Sequence, residues 1–577
     1  MRIFLKNLKV FLLSLFLTIV SFIITFLIFK PIFISDTIIF KFAIEPFNIC
    51  EEQPVIWNII KILFIFDYLF SNFIIFNSIF SKIFSKKIKE KISIEKNNNE
   101  LSLNIGYNSS NALIKIPEKS LYQNILITGT IGTGKTSAAM YPFTKQLIEY
   151  KSNIAEEKLG MLILDVKGNY FSKVSEFASM YKREDDLIII DLSGNIKYNP
   201  LDKPNLKPQV LADRLKTILL LFSPNNSEDF WLDKVQQILT EAIKLCRLYN
   251  NNYVTFEELH NLIFFKNYYL EKVNLLRALF VQNKFLEEDI YNLLSSLNFF
   301  EKEYYSLDDR TLSILKSEVS RITNLFISDY NVKNCFCPKK EEINFFGFSE
   351  VLEKGKIVVL NMNIANYKNL SKLIATYLKL DFQTEVISRL NNPDFNTNSN
   401  FLNIFNNCSK RPVCFISDEY QEYVTLSDSA FFAQSREAKC INIVSTQSYT
   451  SLLNTLNNES SVKVIIQNLV NKLWFRNDDI FTVEEAQKQI GKEEKQKISK
   501  TISENAKETN YNYFFHNFLS KNSNISESLN SYVQTEYIYD TNFFTRNLET
   551  FSCLAFLSNG SDIIEPQKLN LIPYFKK

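Results

Sequence analysis

One short segment, Gly129-Thr130-Ile131-Gly132-Thr133-Gly134-Lys135-Thr136, constrains this chain more than any other. It follows an apolar run, Asn124-Ile125-Leu126-Ile127-Thr128, and precedes a helix-favouring stretch that lasts to Tyr150. The pattern GxxxxGK[ST] between a strand and a helix predicts a loop whose backbone N–H groups close around phosphate oxygens. That closure needs residues without a Cβ, and three of only 11 glycines in 577 residues fall here. The helix N-terminus adds a favourable dipole for an anion. Lys135 is expected to neutralise the β- and γ-phosphates and Thr136 to coordinate Mg²⁺. The expected cradle is Gly129, Thr130, Ile131, Gly132, Thr133, Gly134, Lys135, Thr136 and Ser137, with ATP and Mg²⁺ as the implied cofactors.

A loop of this kind needs a carboxylate partner, and an apolar strand ending in acid supplies one at Val413-Cys414-Phe415-Ile416-Ser417-Asp418-Glu419. Asp418 is expected to hold the Mg²⁺ shell, and Glu419, one residue beyond the strand, to polarise the attacking water as a general base. A solvated strand end is the bland alternative, since adjacent acids are common at surfaces.

Further short strands are predicted at Met161 to Asp165, Asp186 to Asp191, Lys356 to Asn361, Ile441 to Ser445 and Phe551 to Leu557. Alternating with helices, they imply an α/β fold with a parallel sheet covered on both faces. Between about 206 and 340 long amphipathic patterns, such as Phe230 to Tyr249 and Leu312 to Phe326, leave almost no strand signal. The expected organisation is a discontinuous nucleotide-binding domain, 92–205 and 341–577, interrupted by an all-helical insertion at 206–340. The runs 97–99, 391–407 and 492–535 are polar and read as a linker and two loose loops.

Length implies several units, and charge excludes a global polyanion-binding field, because 65 basic residues nearly balance 63 acidic ones. The 8 cysteines show no CxxC pair. Cys335-Phe336-Cys337 lacks a second ligand pair, and His260 and His516 are too few for a His-based metal site or triad. Val10 to Phe29 is an uncharged run long enough to cross about 30 Å of hydrocarbon as a helix. A signal peptide is the competing reading. A second apolar stretch, Val55 to Phe80, carries Lys61 and Asp67. Flanking Arg2, Lys6, Lys9 and then Lys82, Lys86, Lys87, Lys89 and Lys91 place both ends inside by the positive-inside rule. The expectation is a two-helix anchor over residues 1–91 ahead of a large cytoplasmic domain.

These parts together resemble the type IV coupling proteins, the TraG/TraD-like conjugative DNA-transfer ATPases of the FtsK/HerA superfamily. The resemblance runs from the paired N-terminal stretches through Gly129 to Thr136, Asp165-Val166-Lys167-Gly168 and Phe230-Trp231. It continues through Asp418-Glu419, Arg436, Ser445-Thr446-Gln447-Ser448 and Asn471-Lys472-Leu473-Trp474 toward Gly491. It departs at Asn169, where the family's Asp-Pro-Lys-Gly-Glu run ends in an acid. The resemblance implies a RecA-like ATPase acting as a homohexamer at the bacterial inner membrane, multi-pass. Such a motor would receive single-stranded DNA with its relaxase, or a protein, and pass it to type IV secretion channel proteins. It also implies that Gln447 senses the nucleotide, that Arg436 is a finger delivered to a neighbouring subunit, and that the helical insertion receives substrate. Asp165 and Lys167 are read equally well as a strand-end turn.

Other readings stay open. A double-stranded DNA pump or a secretion-assembly ATPase of the same superfamily differs in cargo. An ABC exporter would need a signature for which Leu192-Ser193-Gly194-Asn195 is a poor match. A docking receptor that binds ATP without turnover belongs to a different class.

Overall fold

The computed structural model describes residues 15–22, 55, 59, 62, 65–76 and 100–576, the last range without 194, 223–228, 283–285, 392–410, 506–509, 513–516 and 520–523. The chain divides into two units, Met1–Glu100 and Leu101–Lys577.

In the first unit, residues 15–22 and 65–76 are helical, and Ser21 Oγ and Tyr68 OH share a hydrogen bond of 3.2 Å. Among the described residues no helix is long and apolar enough to cross a membrane. This corrects the expected multi-pass inner-membrane placement; the two-span anchor from which it was derived is not shown. Most of the spans 10–29 and 55–80, and the linker at 97–99, lie outside the described residues.

The second unit is built on an 11-stranded sheet in the order β2-β1-β15-β14-β9-β3-β8-β7-β4-β6-β5. Its strands are β1 (Ser102–Tyr107), β2 (Leu113–Pro117), β3 (Ile125–Thr128), β4 (Gly160–Leu164), β5 (Leu187–Ile190), β6 (Ile357–Leu360), β7 (Val413–Ser417), β8 (Cys440–Thr446) and β9 (Asn471–Phe475). After two small sheets, β10 (Lys492–Asn505) with β13 (Asn524–Tyr537) and β11 (Asn510–Asn512) with β12 (Asn517–Leu519), come β14 (Ser552–Phe556) and β15 (Gln567–Asn570).

The strands from β9 to β5 in that order run parallel. They read as continuous apolar runs because both faces are covered. In β4, Leu162 and Leu164 join one core while Met161 and Ile163 join the other, all of them buried. The sheet is nevertheless mixed: β14, β15, β1 and β2 pair antiparallel at one edge. The turn at Asn108–Asn111, closed by Asn111 N–H to Asn108 C=O at 2.9 Å, is too short for a parallel crossover.

Between β5 and β6 the described regular elements are all helices, among them α1 (Pro208–Phe222), α2 (Asp229–Tyr249), α3 (Phe256–Phe264) and α4 (Asp309–Ile327). α4 shows why. Asp308 caps it by accepting from Thr311 N–H, and Leu315, Val319, Ile322 and Phe326 bury one stripe at helical spacing. Their core is continuous with one face of the sheet. The long helix α5 (Ile364–Asn391) follows β6 and ties to α1 through Asp381, which pairs with Arg214 at 2.8 Å and Lys203 at 3.0 Å.

Two polar runs resolve differently. The loop expected at 391–407 lies, apart from Asn391, outside the described residues. Most of the stretch read as loose at 492–535 forms β10 and β13, an antiparallel pair in continuous register from Lys492↔Tyr537 to Asn505↔Asn524. Ile498 and Ile502 on β10 and Leu529 and Val533 on β13 each stand four positions apart, which in this register puts all four on one face of the pair. A spacing of four fits a helix as well as a strand, so it leaves no strand signal in the sequence.

Candidate nucleotide site

The loop after β3 lies at the carboxyl edge of the parallel strands, where ligands bind in open α/β sheets. Gly129 packs so tightly that a Cβ would stand 2.6 Å from Phe475 Cβ. Gly134 has φ +98 and a Cβ there would meet the Phe551 ring at 2.4 Å, so no other residue fits either position. Thr130 N–H bonds Arg476 C=O at 3.0 Å and Thr133 Oγ1 bonds Thr130 C=O at 2.8 Å. The helix begins at Lys135, wound wide over Lys135–Met140 and regular over Tyr141–Glu149.

Lys135 Nζ folds back over this loop, donating to Gly129 C=O and, at 3.2 Å, to Thr130 C=O. Burial pushes its ammonium below the ordinary value against the opposing pull of Glu419 and Asp418. Thr136 Oγ1 donates to Asp418 Oδ2 at 2.8 Å. That spacing is close to that of adjacent oxygens on an octahedral Mg²⁺ with metal–oxygen distances of about 2.1 Å, so the pair fits the implied ion. Burial, then the neighbouring Glu419 charge, pushes the Asp418 carboxyl above its usual range.

Glu419 is buried and left-handed, with φ +51, a strained conformation for a residue with a Cβ. Its Oε2 accepts from Gln421 Nε2 at 2.9 Å and Gln447 Nε2 at 3.2 Å, and its Oε1 faces Lys167 Nζ at 3.4 Å. Burial alone would raise this carboxyl. The Gln421 hydrogen bond, the Lys167 and Lys135 charges and the Gln447 contact outweigh it and hold Glu419 below its ordinary value.

Two turns set these partners. Asp165 accepts the backbone N–H groups of Lys167, Asn169 and Tyr170, each at 3.1 Å, which aims Lys167 at Glu419. Asp165 therefore is a turn residue, while Lys167 is a site residue. Behind Glu419 the chain is locked by a fully buried pair: Lys379 of α5 donates to Asp428 at 2.6 and 2.7 Å, to Tyr423 C=O at 2.6 Å and to Thr425 Oγ1 at 2.9 Å. Tyr420, next to Glu419, donates its hydroxyl to the same Asp428.

Of the residues expected from sequence, Gly129 to Ser137, Asp418, Glu419 and Gln447 meet at this edge. Arg436 does not join them. It is exposed in the turn that leads into β8, at the opposite edge of the sheet from Gln447, and offers no contact to the site within its own chain. Gln421 went unread, although a polar residue two past the acid in a tight turn was a usable cue. His260 is a packed residue, hydrogen-bonded to Thr323 Oγ1 at 3.0 Å and stacked on Phe264. His516 lies outside the described residues. Trp231 is partly buried against the core with Phe230 edge-on.

No protein-family model matches the sequence, and no curated protein matches it. Among solved structures, the chain is similar to the bacterial conjugative coupling protein TrwBdeltaN70 in its unbound monoclinic form. The TM-score is 0.52 at 12% identity, covering 81% of this chain and 88% of that one. It is similar to the plasmid coupling protein TrwB in complex with a non-hydrolysable ATP analogue, with a TM-score of 0.51 at 12% identity over 83% and 91% of the two chains. It is similar also to TrwB in complex with ADP and Mg²⁺, with a TM-score of 0.50 at 12% identity over 81% and 89%. The fold is that of a conjugative coupling protein: a large, mostly parallel sheet with many helices.

Proposed function

We propose that this chain is a Mg²⁺-dependent ATPase of type IV secretion. It would couple hydrolysis to passing single-stranded DNA with its relaxase, or a protein, toward a secretion channel. The observation that carries this reading is the meeting, at one sheet edge, of the Lys135 loop, the Thr136–Asp418 pair and a Glu419 carboxylate clamped by two amides. The fold likeness to TrwB, whose structures hold an ATP analogue and ADP with Mg²⁺, supports the same cofactors here.

In this reading Gly129 to Ser137 cradle the phosphates through backbone N–H groups, and Lys135 neutralises their charge. Thr136 and Asp418 would hold Mg²⁺, which when bound spreads the charge of the transferring phosphoryl group. Glu419, kept ionised by Gln421, Gln447 and Lys167, accepts a proton from the attacking water. Gln447 hands the state of Glu419 to β8. Arg436 serves the site of a neighbouring copy. The helical part, 206–340, receives the cargo, and 92–205 with 341–577 forms the motor.

Steady-state ATP hydrolysis by the full chain, with and without single-stranded DNA, tests the reading. Turnover that requires Mg²⁺ and rises with DNA is expected. A protein that binds ATP and never turns it over would be a docking receptor instead, and one that ignores DNA would carry another cargo.

A further inference from the structure

The end of the chain is fastened onto the phosphate loop. Phe551, the residue before β14, is left-handed at φ +65, donates its N–H to Thr133 C=O at 3.0 Å and lays its ring against Gly134. Its own carbonyl accepts from Leu571 N–H at 2.8 Å, and Tyr574 N–H reaches Ser137 C=O at 2.9 Å. These bonds bring Phe575 edge-on to both Phe551, at 5.9 Å, and Tyr574, at 5.4 Å. Tyr574 is spoken for, packed edge-on against Tyr141 and under Lys173 Nζ at 4.9 Å. Phe575 is 57% exposed. A strained aromatic backbone and an uncovered ring beside a polar loop cost free energy, and the packing of Phe551 against the sheet core leaves the Phe575 ring open.

Sheet order says which end of a nucleotide lies there. Asp418, Glu419 and Lys167 follow β7 and β4, which lie on the β8 side of β3. The reacting phosphate must point to that side. The nucleoside end must then leave over the other side, toward β9, β14 and β15. β14 runs antiparallel to β9, which brings its first residue, and Phe551 before it, to the edge that carries the loop. β15 runs back toward the same edge and delivers Tyr574 and Phe575. We infer that Phe551 and Phe575 form a shelf on which the nucleobase of the bound nucleoside triphosphate stacks. This rests on the reading of the loop as a nucleotide site and adds the part of the ligand that the loop itself does not touch. Stacking on a ring face is blind to base identity, so the shelf distinguishes a nucleotide from a bare polyphosphate rather than adenine from guanine.

The test is calorimetric titration of the full chain, with Mg²⁺, against a non-hydrolysable ATP analogue and against inorganic tripolyphosphate. Phe575→Ala should weaken the analogue roughly tenfold, within the range of one lost base–aromatic stack, and leave tripolyphosphate unchanged. Phe575→Trp should restore the analogue's affinity. Phe575 is exposed, so the fold does not depend on it. Equal loss for both ligands, or no loss for either, overturns the shelf while leaving the nucleotide site standing. A wild-type chain that binds neither ligand overturns the nucleotide site and the shelf together.

Discussion

Gln421 Nε2 donates to Glu419 Oε2 at 2.9 Å, while Gln421 Oε1 accepts from Thr446 Oγ1 at 2.9 Å. The amide is thus oriented from both ends: Thr446 closes β8 and Gln421 stands two residues past the acid. A carboxylate in a strained turn keeps its direction only if something outside the turn specifies it, and this bridge does so. Gln421→Ala should leave nucleotide affinity within a factor of about two and lower kcat up to roughly 10²-fold, the cost of misplacing a reacting group by about 1 Å. Unchanged kcat in a steady-state assay would show that Gln447 suffices alone.

The Lys379–Asp428 pair is fully buried, so its charges gain little from water. Burial lowers the Lys379 ammonium below its ordinary value, and only Asp428 counters it. Asp428→Ala should cost about 3–5 kcal/mol, because an unpaired charge stays inside. Lys379→Met with Asp428→Leu should be more stable than either single variant carrying an uncompensated charge. Urea midpoints at pH 7 measure this; a double variant no better than Asp428→Ala would mean that Tyr420, Thr425 and Gln383, which also donate to Asp428, Gln383 Nε2 at 2.9 Å, need the carboxylate more than Lys379 does.

Much of this site was readable because phosphate chemistry leaves few choices. A backbone cradle demands glycines, and in a chain with 11 of them their clustering at 129–134 stands out. Adjacent acids at the end of an apolar strand are equally exposed to view. Gln421 and Lys167 were harder, since their contacts with Glu419 arise from a tight turn and from the Asp165 turn rather than from a pattern. Neither leaves a periodic trace. The antiparallel edge was missed for another reason: β1, Ser102–Tyr107, and β15, Gln567–Asn570, are short and half polar, so alternation has too few residues to register. The contact of Phe551 with Gly134 could not be read at all, because it joins residues far apart in sequence.

Asp381 makes stability depend on acid. Burial would raise its carboxyl, but Lys203 and Arg214, with the Tyr198 hydroxyl, outweigh burial and hold it below the ordinary value. A carboxyl depressed in the fold contributes stability that is present above its unfolded pKa, about 3.9, and is lost as pH falls through the lower folded value. Asp381→Asn should therefore be destabilised at pH 7 by about 3–5 kcal/mol, because the buried Arg214 loses its partner and Lys203 keeps only the longer contact to Glu385 at 3.7 Å. The gap to wild type should narrow as pH drops below about 4. Denaturant titrations at several pH values follow it, and a gap that widens in acid would reverse the assigned sign.

Arg436 and Gln447 flank β8 at its two ends, and a strand of this length, Cys440–Thr446, spans roughly 20 Å at about 3.3 Å per residue. No side chain bridges that distance, so Arg436 can reach a nucleotide only on another copy. If it does, its guanidinium stabilises charge on the transferring phosphoryl group, an effect worth about 10³–10⁵ in rate in related enzymes. Arg436→Ala should then be nearly inactive for want of a finger, and Glu419→Gln for want of a base. Mixed assemblies differ from both parents. A site whose loop and Glu419 come from an Arg436→Ala copy, and whose finger comes from a Glu419→Gln copy, is complete. Random equal mixing makes about a quarter of the interfaces competent, each at close to full rate. ATPase activity should therefore reappear on mixing. Activity that stays at the level of the separate variants, while wild-type copies demonstrably exchange with them, would rule out a finger acting between copies.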